Sequence, residues 1–410
     1  MNNSNRIESN DEAIHSWYRF VLSYPPHLVR HYISDFGIDP SKCVLDPFCG
    51  TGTTNVECMK NGIPSVGIEA NVMTYFASSV KTSSIDDRAQ FLSDARSIAE
   101  KASERMETGE RKILDDSEYK LLIRGSIDDD VLSNVMILKD SIDVSNSKYR
   151  DHYNLALAKC AVNSFSNLRF SPEISVVKNK PKNTDVPGVW LNEVLTIASD
   201  WQSFRTFFDT PCTIYRGDAR DIESIGITQK IDAVITSPPY PNEKDYSRTT
   251  RLETVILGFA HNQQEMRSIK QQLLRSNTKN IYKGDSDSDF VLKYPEIVEI
   301  SQEIEARRIE LNRNSGFERL YSRVFLNYFG GMARHLISLK SILNPGAKLA
   351  YVVGDQGSYY KIPIRTAELL GIIAEDVGYK VDRIDTFRTR FATGSGEYLN
   401  ENVLILTYKG

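Results

Sequence analysis

Two stretches carry residue types in an order that could do chemistry. The first is Val44-Leu45-Asp46-Pro47-Phe48-Cys49-Gly50-Thr51-Gly52-Thr53-Thr54. Its spacing predicts a buried strand, a tight glycine turn and the start of a helix running through Val56, Met59 and Lys60. Gly50 and Gly52 carry no Cβ, so backbone there can come close to a ligand. Such a turn presents unpaired N–H groups at the mouth of a parallel sheet, where a polar cofactor can dock. The next apolar run, Pro64 to Glu69, ends in an acid. A carboxylate at that place can hold both hydroxyls of a ribose. The second stretch is Asp232-Ala233-Val234-Ile235-Thr236-Ser237-Pro238-Pro239-Tyr240, an apolar strand that ends in a proline-stiffened loop. An ordinary strand-ending turn is the bland alternative for that loop.

The glycines do not follow GxGxxG, so a dinucleotide site is not the first reading. They do not follow GxxxxGK[ST] either, so a phosphate cradle lacks its lysine. Asp46 to Thr54 resembles the cofactor loop of S-adenosylmethionine-dependent amino-methyltransferases. Ser237-Pro238-Pro239-Tyr240 resembles the catalytic motif of DNA methyltransferases that act on exocyclic amines, and this variant is most similar to the cytosine-N4 group. Together the motifs and their flanking strands cover roughly the sheet half of the chain. The resemblance implies an α/β fold: a class I methyltransferase (Rossmann-like) with a mostly parallel seven-stranded sheet, a helical insertion and a target-recognition region. It implies S-adenosyl-L-methionine as cofactor. Tyr24, Asp46, Pro47, Phe48, Gly50, Thr51, Gly52, Glu69 and Asp218 are its expected contacts. The segment around Tyr24-Pro25-Pro26 departs from the commoner His-Pro-Thr form found before such glycine loops.

The implied chemistry is demanding. An aromatic amine is a poor nucleophile, because its lone pair is delocalised into the ring. Catalysis must localise that pair and aim it at the sulfonium methyl. The carbonyl of Pro238 and the side chain of Ser237 are the expected acceptors for the amine hydrogens, held in place by Pro238 and Pro239. Tyr240 is expected to stack on the target ring. A base inside a duplex must be flipped out to reach such a pocket. No metal and no cysteine nucleophile is called for. Pro211-Cys212 resembles the nucleophile pair of cytosine-C5 enzymes, but it precedes a strand, and Cys212 reads as buried filler. The alternatives kept open are adenine-N6 methylation, an RNA amino-methyltransferase, and a nucleic-acid-binding module that has lost catalysis.

Composition narrows the class. The chain has 410 residues and a formal net charge of −4, which neither supports nor excludes nucleic acid. A DNA enzyme needs a local basic face rather than a basic whole. No apolar run reaches the length of a membrane span, and the polar start, Met1 to Asn5, lacks a signal-peptide core. The five cysteines, at 43, 49, 58, 160 and 212, form no CxxC, so neither a zinc site nor a disulfide framework is suggested. A reduced, cytoplasmic protein fits. The resemblance, not the composition, implies double-stranded DNA as partner, association with a prokaryotic nucleoid and, if the protein is one half of a restriction–modification pair, a separate restriction endonuclease.

Taken in order, residues 1–84 read as an N-terminal segment and the cofactor half, with helical periodicity through Leu28, Val29, Tyr32 and Ile33. Residues 85–208 read as an almost wholly helical insertion. Within it, the polar stretch 176–183 offers Lys178, Lys180 and Lys182 to phosphates, or is a solvated loop. Residues 209–240 resume the sheet, and Asp218 in Gly217-Asp218-Ala219 stands where the resemblance puts the contact to the cofactor's adenine amine; a helix N-cap is the bland reading. Residues 241–323 are long, polar and basic, and Lys244, Arg248 and Arg251 are the expected DNA contacts. A solvated helical face is the alternative there. Residues 324–410 close the sheet, with a helix over 324–343, a strand over 348–354, a helix over 366–377, and strands over 381–385 and 403–408.

Overall fold

The computed structural model describes residues 8, 11–19, 23–171, 173–177, 185–242, 244–392 and 396–410. Its strands are β1 (Val44–Asp46), β2 (Ser65–Glu69), β3 (Leu168–Ser171), β4 (Glu173–Val176), β5 (Cys212–Arg216), β6 (Ile231–Thr236), β7 (Leu343–Gly354), β8 (Tyr379–Ala392) and β9 (Glu397–Tyr408). Seven of these form one sheet in the order β5-β2-β1-β6-β7-β9-β8. The first five in that order run parallel, and β9 enters antiparallel between β7 and β8. This is a doubly wound, Rossmann-like sheet closed by an antiparallel hairpin.

The order of strands decides where a ligand can sit. From β1 the chain moves outward to β2 and β5, then crosses back to lay β6 on the other side of β1. Such a reversal opens a crevice beyond the carboxyl ends of the two central strands. Val44 lies opposite Ala233 and Leu45 opposite Val234. The loops that leave β1 and β6 are therefore neighbours, although some 190 residues separate them in the chain.

The sheet is sandwiched between two apolar layers. Leu45, Val66, Ile68 and Val234 face one layer, built on the helix Tyr321–Leu339 with Phe325, Phe329 and Met332. Val44, Ala233, Ile235, Val352 and Val403 face the other, with Leu28, Val29 and Tyr32 of the helix Pro26–Asp35. A third core joins the helices Arg88–Glu107, Asp129–Val144, Arg150–Cys160 and Val186–Phe204. The first of these starts on Asp87, whose side chain accepts the N–H of Gln90.

Several expectations need correction. The stretch 85–208 is not wholly helical: β3 and β4 form an antiparallel hairpin, with Leu168 opposite Val176 and Phe170 opposite Ile174. Apolar residues alternate there with Arg169 and Ser175, a period of two inside a stretch dominated by helical periods. Val176 therefore ends a strand rather than opening a loop, and Lys178, Lys180 and Lys182 lie outside the described residues. Residues 241–323 divide between two cores. Leu252, Val255, Ile256 and Met266 pack into the core of the insertion, while Val291, Ile297 and Ile304 pack beneath the sheet. The helix expected over 324–343 spans Tyr321–Leu339, and Leu343 already pairs with Ile231 in β7. Asn344-Pro345-Gly346 sits within that strand, where the register shifts before Lys348 pairs with Ala233. The closing strands are far longer than expected, because β8 and β9 continue past the edge of β7.

Candidate active site

A cavity of about 500 Å³ opens at the carboxyl ends of the parallel strands. The glycine turn forms one wall and the Ser-Pro-Pro-Tyr loop another. Of the residues expected from sequence, Tyr24, Pro47, Phe48, Gly50, Thr51, Glu69, Asp218, Ser237, Pro238, Pro239, Tyr240 and Lys244 line it.

The turn is closed by left-handed glycines, Gly50 at φ +53° and Gly52 at φ +82°. Glu69, at the end of β2, is fastened to it. One carboxylate oxygen accepts the N–H of Gly50 at 2.8 Å, and the other accepts the N–H of Asn71 at 2.7 Å. Burial pushes its carboxyl up to about 7, against the pull of those two bonds. Each oxygen keeps a further lone pair for a ligand.

Asp46 and Gly52 do not line the cavity, which corrects their expected role as direct contacts. Asp46 is fully buried. It accepts from Thr236 Oγ at 2.6 Å, Thr54 Oγ at 2.7 Å, Phe48 N–H at 3.1 Å and Tyr24 Oη at 3.2 Å. Burial raises its carboxyl to about 6 in spite of these donors. It ties the glycine turn, the helix Thr53–Lys60 and the end of β6 into one piece. A Cβ on Gly52 would come within 3.0 Å of Ser78 Cβ, so this glycine serves helix packing rather than ligand approach. Tyr24 lines the cavity while its hydroxyl bonds to Asp46 and Thr54.

Asp218 is held from behind. Arg220 grips its carboxylate through Nε at 2.9 and 3.0 Å and Nη2 at 2.6 Å, and the Arg220 N–H adds a fourth bond at 2.9 Å. The same guanidinium reaches Asp287 at 2.5 Å, and Asp287 also accepts from Arg334. The N-cap alternative does not apply, since the next helical turn, Glu223–Ile225, has Ile222 at its cap. Arg220 and Asp287 gave no sequence signal, because each stands among other charges of its own stretch, Arg216, Asp218 and Asp221 in one and Asp285 and Asp289 in the other.

Two further supports were not legible. His335 bonds through Nδ1 to the carbonyl of Ala219 at 2.8 Å and through Nε2 to Tyr351 Oη at 2.6 Å. Burial lowers its pKa to about 4, so it is neutral; the carbonyl assigns the proton to Nδ1. Its ring meets Phe48 edge-on at 5.0 Å. Lys81, buried, donates to the carbonyls of Thr51 at 3.2 Å and His15 at 3.1 Å. Burial lowers its pKa to about 7.

The Ser-Pro-Pro-Tyr loop is likewise braced. Ser237 Oγ donates to the carbonyl of Val352 at 3.2 Å, which uses its proton and leaves its lone pairs as acceptors. The N–H of Tyr240 points to Tyr246 Oη at 3.4 Å. A Cβ on Gly354 would meet the Tyr240 ring at 3.0 Å, so the ring lies close against the bare backbone at the end of β7. Burial, then the charge of Glu401, pushes the Tyr240 hydroxyl well up, and it stays protonated. Glu401 itself is forked by Arg388 at 2.6 and 2.8 Å.

Cys212 starts β5 opposite Ser65, at the amino ends of the parallel strands and away from the cavity. The desolvated thiol is raised and accepts from Ser65 Oγ at 3.4 Å, and the residue is half-buried on the edge strand rather than buried filler. Among the expected DNA contacts, Arg251 is a brace rather than a free cation. It donates to the carbonyls of Ser247 and Leu121, linking its segment to the insertion. Arg248 is partly exposed on the short helix Tyr246–Thr249. Among the described residues, no group of His, Cys, Asp or Glu is placed to hold a metal ion, and no helix is long and apolar enough to cross a membrane.

A family model described as DNA methylase matches residues 2–77. The chain is 24% identical over 421 residues to the Type II methyltransferase M.BsoBI of Geobacillus stearothermophilus, covering 94% of this chain and 82% of that one. It is 24% identical over 401 residues to the Type II methyltransferase M.AvaI of Nostoc sp., covering 90% and 79%. A solved structure, the glycopeptide N-methyltransferase MtfA complexed with sinefungin, overlaps 98% of both chains at 7% identity and a TM-score of 0.31. The fold assignment rests on the strand order, which is that of a class I methyltransferase. The chain is thus similar to S-adenosylmethionine-dependent DNA amino-methyltransferases of the N4/N6 type. S-adenosylmethionine fits the cavity: a two-oxygen acid stands beside a glycine turn, and a second anchored carboxylate stands at the end of the neighbouring strand.

Proposed function

We propose that this protein transfers a methyl group from S-adenosylmethionine to the exocyclic N4 amine of a cytosine in a specific site of duplex DNA. The observation that carries the reading is the convergence of Glu69, Asp218 and the Ser237–Tyr240 loop on one cavity, whose glycine turn and Ser-Pro-Pro-Tyr loop are joined beneath by Asp46. Bound S-adenosylmethionine would supply an electrophilic methyl on a sulfonium. Glu69 would hold the ribose hydroxyls, and Asp218 the adenine amine. Phe48, Pro47 and Thr51 would wall the site. The Pro238 carbonyl and the Ser237 hydroxyl oxygen would accept the two hydrogens of the target amine and draw its lone pair out of the ring. These acceptors are fixed before the substrate arrives, so little reorganisation is left for the reaction itself. Tyr240 would stack on the flipped base, a contact worth roughly 1–3 kcal/mol.

The cytosine assignment rests on the resemblance of Ser237-Pro238-Pro239-Tyr240 to the N4 group. Adenine-N6 would use the same acceptors and the same stacking ring. The relatives' Type II designation supports a role in restriction–modification, in the cytoplasm, with the endonuclease a separate chain. Methylome sequencing of DNA from cells expressing the protein tests the reading and gives base and site together. N4-methylcytosine at a fixed sequence agrees with it; DNA free of new methylation contradicts it.

A further inference from the structure

The hairpin of β8 and β9 does not stop where the sheet stops. β7 ends at Gly354, which lies opposite Glu401. Beyond that point β8 and β9 continue to pair through Thr389 with Asn400, Arg390 with Leu399, Phe391 with Tyr398 and Ala392 with Glu397. Gly354 is the carboxyl end of a parallel strand, and the cavity opens at those ends. The hairpin therefore overhangs the sheet on the cavity side by four residue pairs, an arm of about 13 Å at roughly 3.3 Å per residue.

The arm has two unlike faces, because cross-strand partners share a face and successive residues alternate. Arg388, Arg390 and Glu401 occupy one face and line the cavity. Arg388 forks Glu401, and Arg390 approaches the same carboxylate only to 3.7 Å, so two guanidinium groups share one acid and the rim is net positive. Phe391 and Tyr398 occupy the other face. Their rings pair edge-on at 5.3 Å, yet they stay 56% and 73% exposed. Exposed aromatics on an edge hairpin invite aggregation unless something covers them in use.

We propose that this arm is a wedge for duplex DNA: Phe391 and Tyr398 fill the gap left in the base stack when the target nucleotide enters the cavity, while Arg388 and Arg390 flank that nucleotide. The inference rests on the methyltransferase reading above. Three observations favour DNA as the occupant. The arm is continuous with the cavity wall, its cavity face is net positive, and its length exceeds the roughly 8 Å depth of a DNA groove. Apolar side chains inserted between base steps are a known means of holding a duplex open.

The test uses the full chain carrying Phe391→Ala and Tyr398→Ala, and a short duplex containing the site mapped by sequencing. A second duplex places the target opposite an abasic position, so that the base is already unpaired. The double variant should methylate the paired duplex about tenfold or more slowly than wild type. On the abasic duplex it should come within about threefold of wild type. S-adenosylmethionine affinity should be unchanged, and Tyr398→Phe should behave as wild type. Tyr398→Ser alone gives the same contrast if the double variant folds poorly. Equal slowing on both duplexes, or no slowing on either, overturns the wedge. A wild-type dimer that the variant loses, with methylation intact, gives the surface to a second copy and overturns it as well. If wild type methylates neither duplex, the methyltransferase reading itself has failed and the wedge goes with it.

Discussion

Asp46 accepts a hydrogen bond from Thr236 across 2.6 Å, and this contact joins the strand that leads into the glycine turn to the strand that leads into the Ser-Pro-Pro-Tyr loop. The cavity walls are thereby held to each other through a fully buried acid rather than through surface contacts. Asp46→Ala would leave the hydroxyl of Thr236 and the N–H of Phe48 without their acceptor, while the Thr54 hydroxyl keeps the carbonyl of Ile235 at 3.0 Å. Each unsatisfied buried group costs about 1–3 kcal/mol. Chemical denaturation should therefore register a loss of at least that size, and Asp46→Asn, which keeps an acceptor oxygen, should lose less. Unaltered stability in Asp46→Ala would remove the acid from this role.

Glu69 gives a pH dependence. Its carboxyl is raised to about 7 by burial, and the ionised form is the better acceptor for ribose hydroxyls. A raised acid is neutral below its folded pKa and charged above it. S-adenosylmethionine affinity should therefore increase as pH rises through about 7, and Glu69→Gln should flatten that profile. Calorimetry across this range decides the point; an equally steep profile in Glu69→Gln would assign it to another group. The raised carboxyl also favours the free fold below the ordinary glutamate range, and that contribution fades as pH passes through about 7.

Arg220 sits between Asp218 and Asp287 with its side chain only 6% exposed. Removing one member of a buried ion network leaves uncompensated charge, at about 3–5 kcal/mol. Arg220→Met should lower the melting temperature and weaken cofactor binding, since Asp218 loses the group that aims it. A variant with unchanged cofactor affinity would mean that Asp218 needs no such anchor.

Lys81 braces the glycine turn from the side opposite the cavity. Lys81→Met leaves the buried carbonyls of Thr51 and His15 without this donor. Cofactor affinity should fall by about 1–3 kcal/mol, although the side chain never enters the site. Isothermal titration at fixed pH reads this directly, and wild-type affinity would refute it.

Much of this arrangement was legible in the chain. Strand-turn-helix at Val44–Lys60, the acid closing β2, and the apolar strand before Ser237 each announce themselves within a dozen residues. Local pattern and the resemblance suffice there. What stayed hidden depends on pairs far apart in sequence. Asp46 reads as a ligand contact until Thr236 is found beside it. Gly52 reads as an opening for ligand until Ser78 is found behind it. Arg251 reads as a DNA contact until its bonds to Ser247 and Leu121 are seen. The hairpin at β3 and β4 was masked by the helical periods on either side. The full length of β8 and β9 was masked by charged residues that a cavity-lining strand can carry and an ordinary core strand would not.

The reaction itself is the central claim. Tyr240→Ala should slow methyl transfer with cofactor affinity near wild type, and Ser237→Ala should lower turnover more than binding, because its acceptor matters most as the amine pyramidalises. The most direct measurement is mass spectrometry of nucleosides from DNA methylated by the purified protein with labelled S-adenosylmethionine. The account predicts labelled N4-methylcytosine. N6-methyladenine would keep the mechanism and overturn the substrate, whereas 5-methylcytosine would contradict the account outright, since Cys212 lies at the far end of the sheet from the cavity.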